Sequence, residues 1–286
     1  MIGQVVAGID GSLNSLTAFQ YGLDLARRVK AEIKVVFVVD SRKTELPIIY
    51  TASHFDYGFE RVYIPPEPGL KGFYDKVRQD IRSFADNCLG LCKRDAEAAH
   101  VPFVSIIREG LPSGILTEEA RSGDLLAIGR KGENAHIERA IVGSTTEDAV
   151  RSSPRPVLVC PSAFRSPTRV LFPYDGSEVA EGALLFCVNA FGSIWDEMVV
   201  LTVTEEMGES FPFDTELGYL GAHNIPYRLL METGKPVDMI PRVAKRENSD
   251  MILIGAHGRH KIRDYLIGST ASHLIRKSEL PVLVAF

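Results

Sequence analysis

The chain is written twice, and that limits its fold more than any other feature. Val5-Val6-Ala7-Gly8-Ile9-Asp10-Gly11-Ser12 returns as Val170-Leu171-Phe172-Pro173-Tyr174-Asp175-Gly176-Ser177, with Asp175 standing 165 residues after Asp10. Val35–Val38 meets Val200–Val203 at the same shift. The shift then falls to 124, where Val101-Pro102-Phe103 matches Ile225-Pro226-Tyr227 and Gly110 and Pro112 match Gly234 and Pro236. It stays at 124 to 126 through Asp124–Gly129 on Asp250–Gly255, Gly143-Ser144-Thr145 on Gly268-Ser269-Thr270, and Pro156–Val159 on Pro281–Val284. Anchors kept in one order mark a duplicated unit. The 286 residues therefore divide into two copies of one fold, each near the usual domain size. The fall from 165 to 124 leaves the second copy 41 residues shorter between its second and third strands.

Within each copy, short β-rich apolar runs alternate with stretches of helical period, the pattern of βαβ units around a parallel sheet. In the first copy the strands read as Gln4 to Ile9, Ile33 to Val39, Pro102 to Arg108, Leu125 to Gly129 and Pro156 to Cys160. Leu16, Phe19, Leu23 and Ala26 mark the inner face of a first helix, and Val77, Ile81, Phe84, Cys88 and Leu91 that of a second. Further helices run from about Pro112 to Ser122 and from Ser144 to Arg151. The expected organisation is a domain over 1–162, with an inserted segment at about 41–70, and a domain over 168–286 with a shortened second helix region. Pro161 to Arg169 is the linker. The inserted segment, rich in Tyr, Pro and Phe, is long for a connection and reads as an interface or lid element. The compressed region of the second copy implies a thinly covered flank, to be hidden by the other domain or another chain.

Composition removes several classes of function. A formal net charge of -5 argues against a protein whose main work is gripping nucleic acid or anionic lipid. The run Ala183 to Trp195 is broken by Asn189, Gly192 and Ser193 and falls short of the roughly 20 residues of a membrane span. The start of the chain enters a strand at once, without the pattern of a secretion signal, so the expected location is cytoplasmic. Cys88 and Cys92 stand four apart on a helix with no nearby pair of Cys or His to complete a zinc set; Cys160 and Cys187 read as core, and no disulfide framework is implied.

In an open parallel sheet, ligands lie beyond the carboxyl ends of the strands, where crossovers part to opposite faces. After its fourth strand the first copy reads Gly129-Arg130-Lys131-Gly132, then ten residues, then Gly143-Ser144-Thr145. The second reads Gly255-Ala256-His257-Gly258, then nine residues, then Gly268-Ser269-Thr270. Glycines let backbone N–H groups approach an anion, and a helix opening at Gly-Ser-Thr adds its dipole and hydroxyls, which is what a phosphate cradle needs. An isolated Gly-x-x-Gly would be only a turn; the weight comes from the preceding strand, the following helix and the repetition. Asp10 and Asp175 admit two roles, ligand contact or the start of a capped turn, and Ser12 and Ser177 read first as helix N-caps. His257 reads equally as a loop residue without a role, and Arg259, His260, Lys261 and Arg263 form a basic cluster beside the loop.

An Asp-Gly-Ser after strand one, Gly-x2-Gly-x9-Gly-[Ser/Thr] after strand four and a closing Pro-Val-Leu-Val strand resemble the universal stress protein family in tandem form. The resemblance implies a Rossmann-like, adenine nucleotide alpha hydrolase-like α/β fold, with a five-stranded parallel sheet of order 3-2-1-4-5 in each copy. It implies binding of ATP, or of ADP or AMP, with or without Mg. Asp175 and Val203 would then contact the adenosine, while Gly255, His257, Gly258, Arg259, Gly268, Ser269 and Thr270 would hold phosphates. The matching positions of the first copy are Asp10, Val38, Gly129, Arg130, Gly132, Gly143, Ser144 and Thr145. That copy has one extra loop residue and carries Glu133 and Glu138, which oppose a triphosphate unless a metal intervenes.

Three functional classes follow: a nucleotide-binding stress or signalling module without fast catalysis, a slow ATPase, and an adaptor that works without ligand. No nucleophile–base couple or paired carboxylates stand out at the strand ends to favour the second. The closing strands of the two copies are expected to lie together, making the chain an intramolecular pseudo-dimer; association as a homodimer is the other arrangement.

Overall fold

The computed structural model describes residues 2–41, 68–132, 142–204, 216–256 and 267–286. The first half runs β1 (Gln4–Ile9), α1 (Leu13–Val29), β2 (Glu32–Asp40), α2 (Pro68–Ala98), β3 (Phe103–Gly110), α3 (Pro112–Ala120), β4 (Leu125–Gly129), α4 (Ser144–Ser152) and β5 (Val157–Cys160). The second repeats the series as β6 (Arg169–Pro173), α5 (Glu178–Phe191), β7 (Glu197–Thr204), α6 (Glu216–Ala222), β8 (Tyr227–Thr233), α7 (Pro236–Arg246), β9 (Met251–Gly255), α8 (Ser269–Lys277) and β10 (Val282–Ala285). A 3-10 turn at Gly192–Ile194 follows α5. The segment expected at 41–70 lies, from 42 to 67, outside the described residues.

All ten strands join in one sheet of order β3-β2-β1-β4-β5-β10-β9-β6-β7-β8. Each half keeps the 3-2-1-4-5 order, but the two expected five-stranded sheets are one continuous layer. The seam is antiparallel, with Val157, Leu158 and Val159 opposite Val284, Leu283 and Val282, whereas the pairings within each half are parallel. Both seam strands are four-residue apolar runs buried throughout, and each covers an edge that the other half alone would leave open.

Side chains alternate across the sheet and feed two cores. Val5, Ala7 and Ile9 pack with residues of α1, α2 and α5 on one face, while Val6 packs with residues of α3, α4, α7 and α8 on the other. A repeated device fixes the start of strand one. Asp124 Oδ2 accepts from the amides of Gly3 at 2.8 Å and Gln4 at 3.1 Å. Its counterpart Asp250 accepts at the start of β6 from Thr168 at 3.3 Å and Arg169 at 3.2 Å.

Helix α2 is turned differently from the expected stripe. Phe84 and Leu91 are each 49% exposed, and the inward face is Ala85, Cys88, Leu89, Cys92 and Ala96. Small side chains let the helix axis come close to the sheet, so the larger apolar residues move to its margins. The shortened flank of the second half is covered partly by its own elements and partly by the first half. Phe191 packs at a tilt against Trp195, which is 2% exposed, and Leu220 of α6 is buried in the same core. Arg28 of α1 lies over the Trp195 ring, 5.4 Å from its centroid, and bonds Ile194 O. The linker is bound to α1, where Tyr21 donates to Ala163 O and accepts from Arg165 N, and Asp24 accepts from Ser166 Oγ. All four cysteines are free and buried. Among the described residues no helix is long and apolar enough to cross a membrane.

Candidate functional site

The strand order reverses between β1 and β4 in the first half and between β6 and β9 in the second. Asp10 and Gly129 stand at the first of these switch points, Asp175 and Gly255 at the second. Each aspartate starts a turn. Asp10 Oδ1 accepts from Ser12 N at 2.9 Å, and Asp175 Oδ1 from Ser177 N at 3.0 Å. Gly11 and Gly176 lie between them at φ of 84° and 72°, a conformation that a side chain would strain. Ser12 and Ser177 then cap α1 and α5 through their hydroxyls. Both aspartates therefore act in turns, and the Asp10 carboxylate also lies against Gly132 of the strand-four loop.

The loop after strand four closes on its own beginning. Gly143 N donates to Arg130 O at 3.0 Å, and Gly268 N to Ala256 O at 2.8 Å. Helices α4 and α8 thus open beside the end of strand four, with Gly143 and Gly268 as N-caps that offer no side chain. The amides of Ser144, Thr145, Ser269 and Thr270 have no acceptor among the described residues. Unpaired first-turn amides at a helix N-terminus attract negative charge.

The glycines divide by physical reason. A Cβ on Gly129 would stand 2.7 Å from the carbonyl carbon of Asn14, so that glycine is demanded by packing against α1. Gly255 is similar but looser, with Val179 Cγ1 at 3.1 Å. A Cβ on Gly132 would meet Asp10 Oδ2 at 2.8 Å, so the bare backbone lets this loop lie against the carboxylate. Gly143 is different. Its nearest neighbour would be Gly132 N at 3.6 Å, and its φ of -69° and ψ of 144° suit any residue, so the protein's own packing does not require a glycine there.

Val38 and Val203 lie on the α3/α4 and α7/α8 face, Val38 almost fully buried and Val203 half-buried. Arg130 departs from the expected role: its backbone belongs to the loop, but its guanidinium turns to the seam, where Nη2 donates to Leu280 O at 3.4 Å. Its Nε is buried without a hydrogen-bond partner, and burial lowers its pKa from the usual arginine value. His257, Gly258 and Arg259 lie outside the described residues, as do Glu133 and Glu138.

Sequence reasoning missed Thr146, a buried residue whose hydroxyl donates to Gly129 O at 2.8 Å and ties α4 to the end of β4. Ala271 replaces it in the second half, and that contrast within the matched Gly-Ser-Thr runs is the signal that could have found it. Cys88 lies behind the first turn; burial raises its thiol pKa and the nearby Asp10 carboxylate adds to the effect. On this face a cleft of about 170 Å³ is lined by Val39, Arg78, Arg82, Ile107 and Glu109.

A doubly wound α/β unit, repeated within one sheet, defines a tandem protein with two strand-order switch points. The universal stress protein family model matches residues 1–161 and again 167–285, and the chain belongs to that family. It is 26% identical over 283 residues to a universal stress protein of Synechocystis sp., covering 96% of each chain. A universal stress protein of Mycobacterium tuberculosis is 23% identical over 308 residues, covering 98% of this chain and 96% of the other. The fold matches the crystal structure of a universal stress protein from Archaeoglobus fulgidus with a TM-score of 0.73 and 23% identity, over 99% of this chain and 97% of that one.

Proposed function

We propose that this universal stress protein binds an adenine nucleotide, ATP or its products ADP and AMP, at the strand ends of its halves 1–162 and 168–286. The nucleotide serves as ligand and switch of a cytoplasmic stress-response module, not as a substrate for fast turnover. One observation carries the reading: among the described residues the amides that open α4 and α8 have no acceptor, and in the first half they stand near Gly132, which lies against the Asp10 carboxylate. Four other helix starts differ. Ser12 and Ser177 cap α1 and α5, while α3 and α7 begin at Pro112 and Pro236, which lack the N–H.

The residues fit the ligand. Among the described residues a Cβ at Gly143 would meet only ordinary contacts, so a phosphate could approach the Ser144 and Thr145 amides and hydroxyls. Asp10 and Asp175 would accept a hydroxyl of the ribose or an amine of the base, with Val38 and Val203 as apolar contacts. Gly132, Gly258 and Gly268 would keep the loops bare, and His257 and Arg259 would add donors to the second site. Gly129 and Gly255 act one step back, by seating α1 and α5 against strand four. Arg130, directed to the seam, is assigned no phosphate. Mg bound with the nucleotide would supply charge neutralisation.

The continuous sheet favours a second reading as an adaptor, since β5 and β10 pair through their own backbones and need no ligand to do so. Calorimetric titration of the full chain with ATP, ADP and AMP decides between them. Binding of one or two equivalents is expected; a stoichiometry of zero for all three leaves the adaptor. Steady release of phosphate at rates typical of enzymes, about 1 per second or faster, would replace the switch by an ATPase.

A further inference from the structure

The helices that open at Gly143 and Gly268 lie next to each other across the seam. Because β5 and β10 run antiparallel, the last turn of α8 faces the first turn of α4. Arg276, in that last turn, places Nη2 2.7 Å from Oε1 of Glu147, the one acid in the first turn of α4. A second tie crosses close by, from Arg130 to the carbonyl of Leu280 in the connection between α8 and β10.

Glu147 has no counterpart. Its position in the second half is Ser272, so the first site carries an acid within one turn of the Ser144 and Thr145 amides and the second does not. An unneutralised carboxylate there draws on the positive end of the helix and repels an incoming anion. Its counter-ion is held by the other half of the molecule.

We propose that Arg276 is a positioning residue for the first-half site, supplied by the second half: by holding Glu147 and cancelling its charge, it opens the Gly143-Ser144-Thr145 turn to an anionic ligand. First-half affinity then depends on where the second half places α8. This rests on the nucleotide reading above.

The test uses the full chain with Gly268→Asp, which blocks the second site, and calorimetric titration with ATP. Arg276→Gln in that background should weaken ATP binding roughly three- to tenfold at low salt, with a smaller loss for AMP, and the loss should shrink as salt rises. Adding Glu147→Gln should restore affinity, because the acid no longer needs cancelling. Unchanged ATP affinity in the Arg276→Gln chain overturns the proposal. So does failure of the double substitution to restore binding, which would give Arg276 a merely structural role. No binding to the unmutated chain removes the nucleotide reading itself, whereas binding to that chain but not to the Gly268→Asp chain removes the first-half site and this inference with it.

Discussion

Gly129 ends β4 directly against Asn14 in the first turn of α1: a Cβ at Gly129 would lie 2.7 Å from the Asn14 carbonyl carbon and 2.9 Å from its oxygen. The atoms in the way are backbone atoms of a capped helix and cannot rotate aside. Gly129→Ala should therefore push α1 from the sheet and destabilise the protein by about 1–3 kcal/mol. Gly255→Ala should cost less, because its nearest atoms lie at 3.1 to 3.2 Å and one is a side-chain methyl. Urea unfolding of the two variants gives the comparison, and equal midpoints would contradict the packing argument.

Gly143→Asp should separate stability from binding. The Gly143 backbone has the extended geometry of a good N-cap, and a Cβ there meets only ordinary contacts. An aspartate would accept from the open amides of α4 and stabilise the helix by about 0.5–1 kcal/mol, as Asp exceeds Gly modestly at this position. The same carboxylate would occupy the place proposed for phosphate. The expected result is a chain that unfolds at slightly higher urea and loses one nucleotide equivalent in calorimetry. A variant that keeps both equivalents would move the first-half site elsewhere.

The strand positions and the strand-end residues were readable because duplication aligned them: Leu125–Gly129 and Asp10 could each be checked against a second copy. The closing strands Val157–Cys160 and Val282–Ala285 are expected from the sequence to lie together, with a homodimer as the other arrangement, and the fold pairs them within the chain. The direction of the Arg130 side chain was not legible. Its run of Gly-Arg-Lys-Gly gives a basic loop, but alternation at the end of β4 sends the side chain towards Leu280. On α2, periodicity found the helix but not its rotation, since Ala85, Cys88, Cys92 and Ala96 make a close-packing face weaker in hydrophobicity than Phe84 and Leu91.

Asp250 should prove more costly to remove than its repeat partner Asp124. Asp250 is buried, accepts from two backbone amides at the start of β6, and has Arg165 Nε of the linker 3.0 Å from its other oxygen. Asp124 makes the same two-amide contact at the start of β1 but is only half-buried. Asp250→Ala would leave two amides unpaired in the interior and is expected to destabilise the fold by about 2–4 kcal/mol. Asp124→Ala, where water can replace the carboxylate, should cost about half as much. Denaturant midpoints of the two alanine variants test the order.

Acid should weaken the outer edge of the second half first. Arg228 of β8 bonds Glu197 of β7 and also Glu247 beyond α7, while Arg246 bonds Glu247 and Glu232. The Arg228 hydrogen bond holds the Glu197 carboxyl below its usual pKa, and bonds from Arg246 and then Arg228 do the same for Glu247. Because the folded pKa values are depressed, the stabilisation is fully present above the unfolded glutamate value of about 4.3 and is lost as pH falls through the folded values. Arg228→Gln removes part of that depression. The variant should melt lower than the parent near neutral pH, and the gap in melting temperature should narrow steadily below about pH 4 as the glutamates of both proteins protonate. A gap of constant size across that range would show that Arg228 contributes through packing of its stem along β8 and not through its charge.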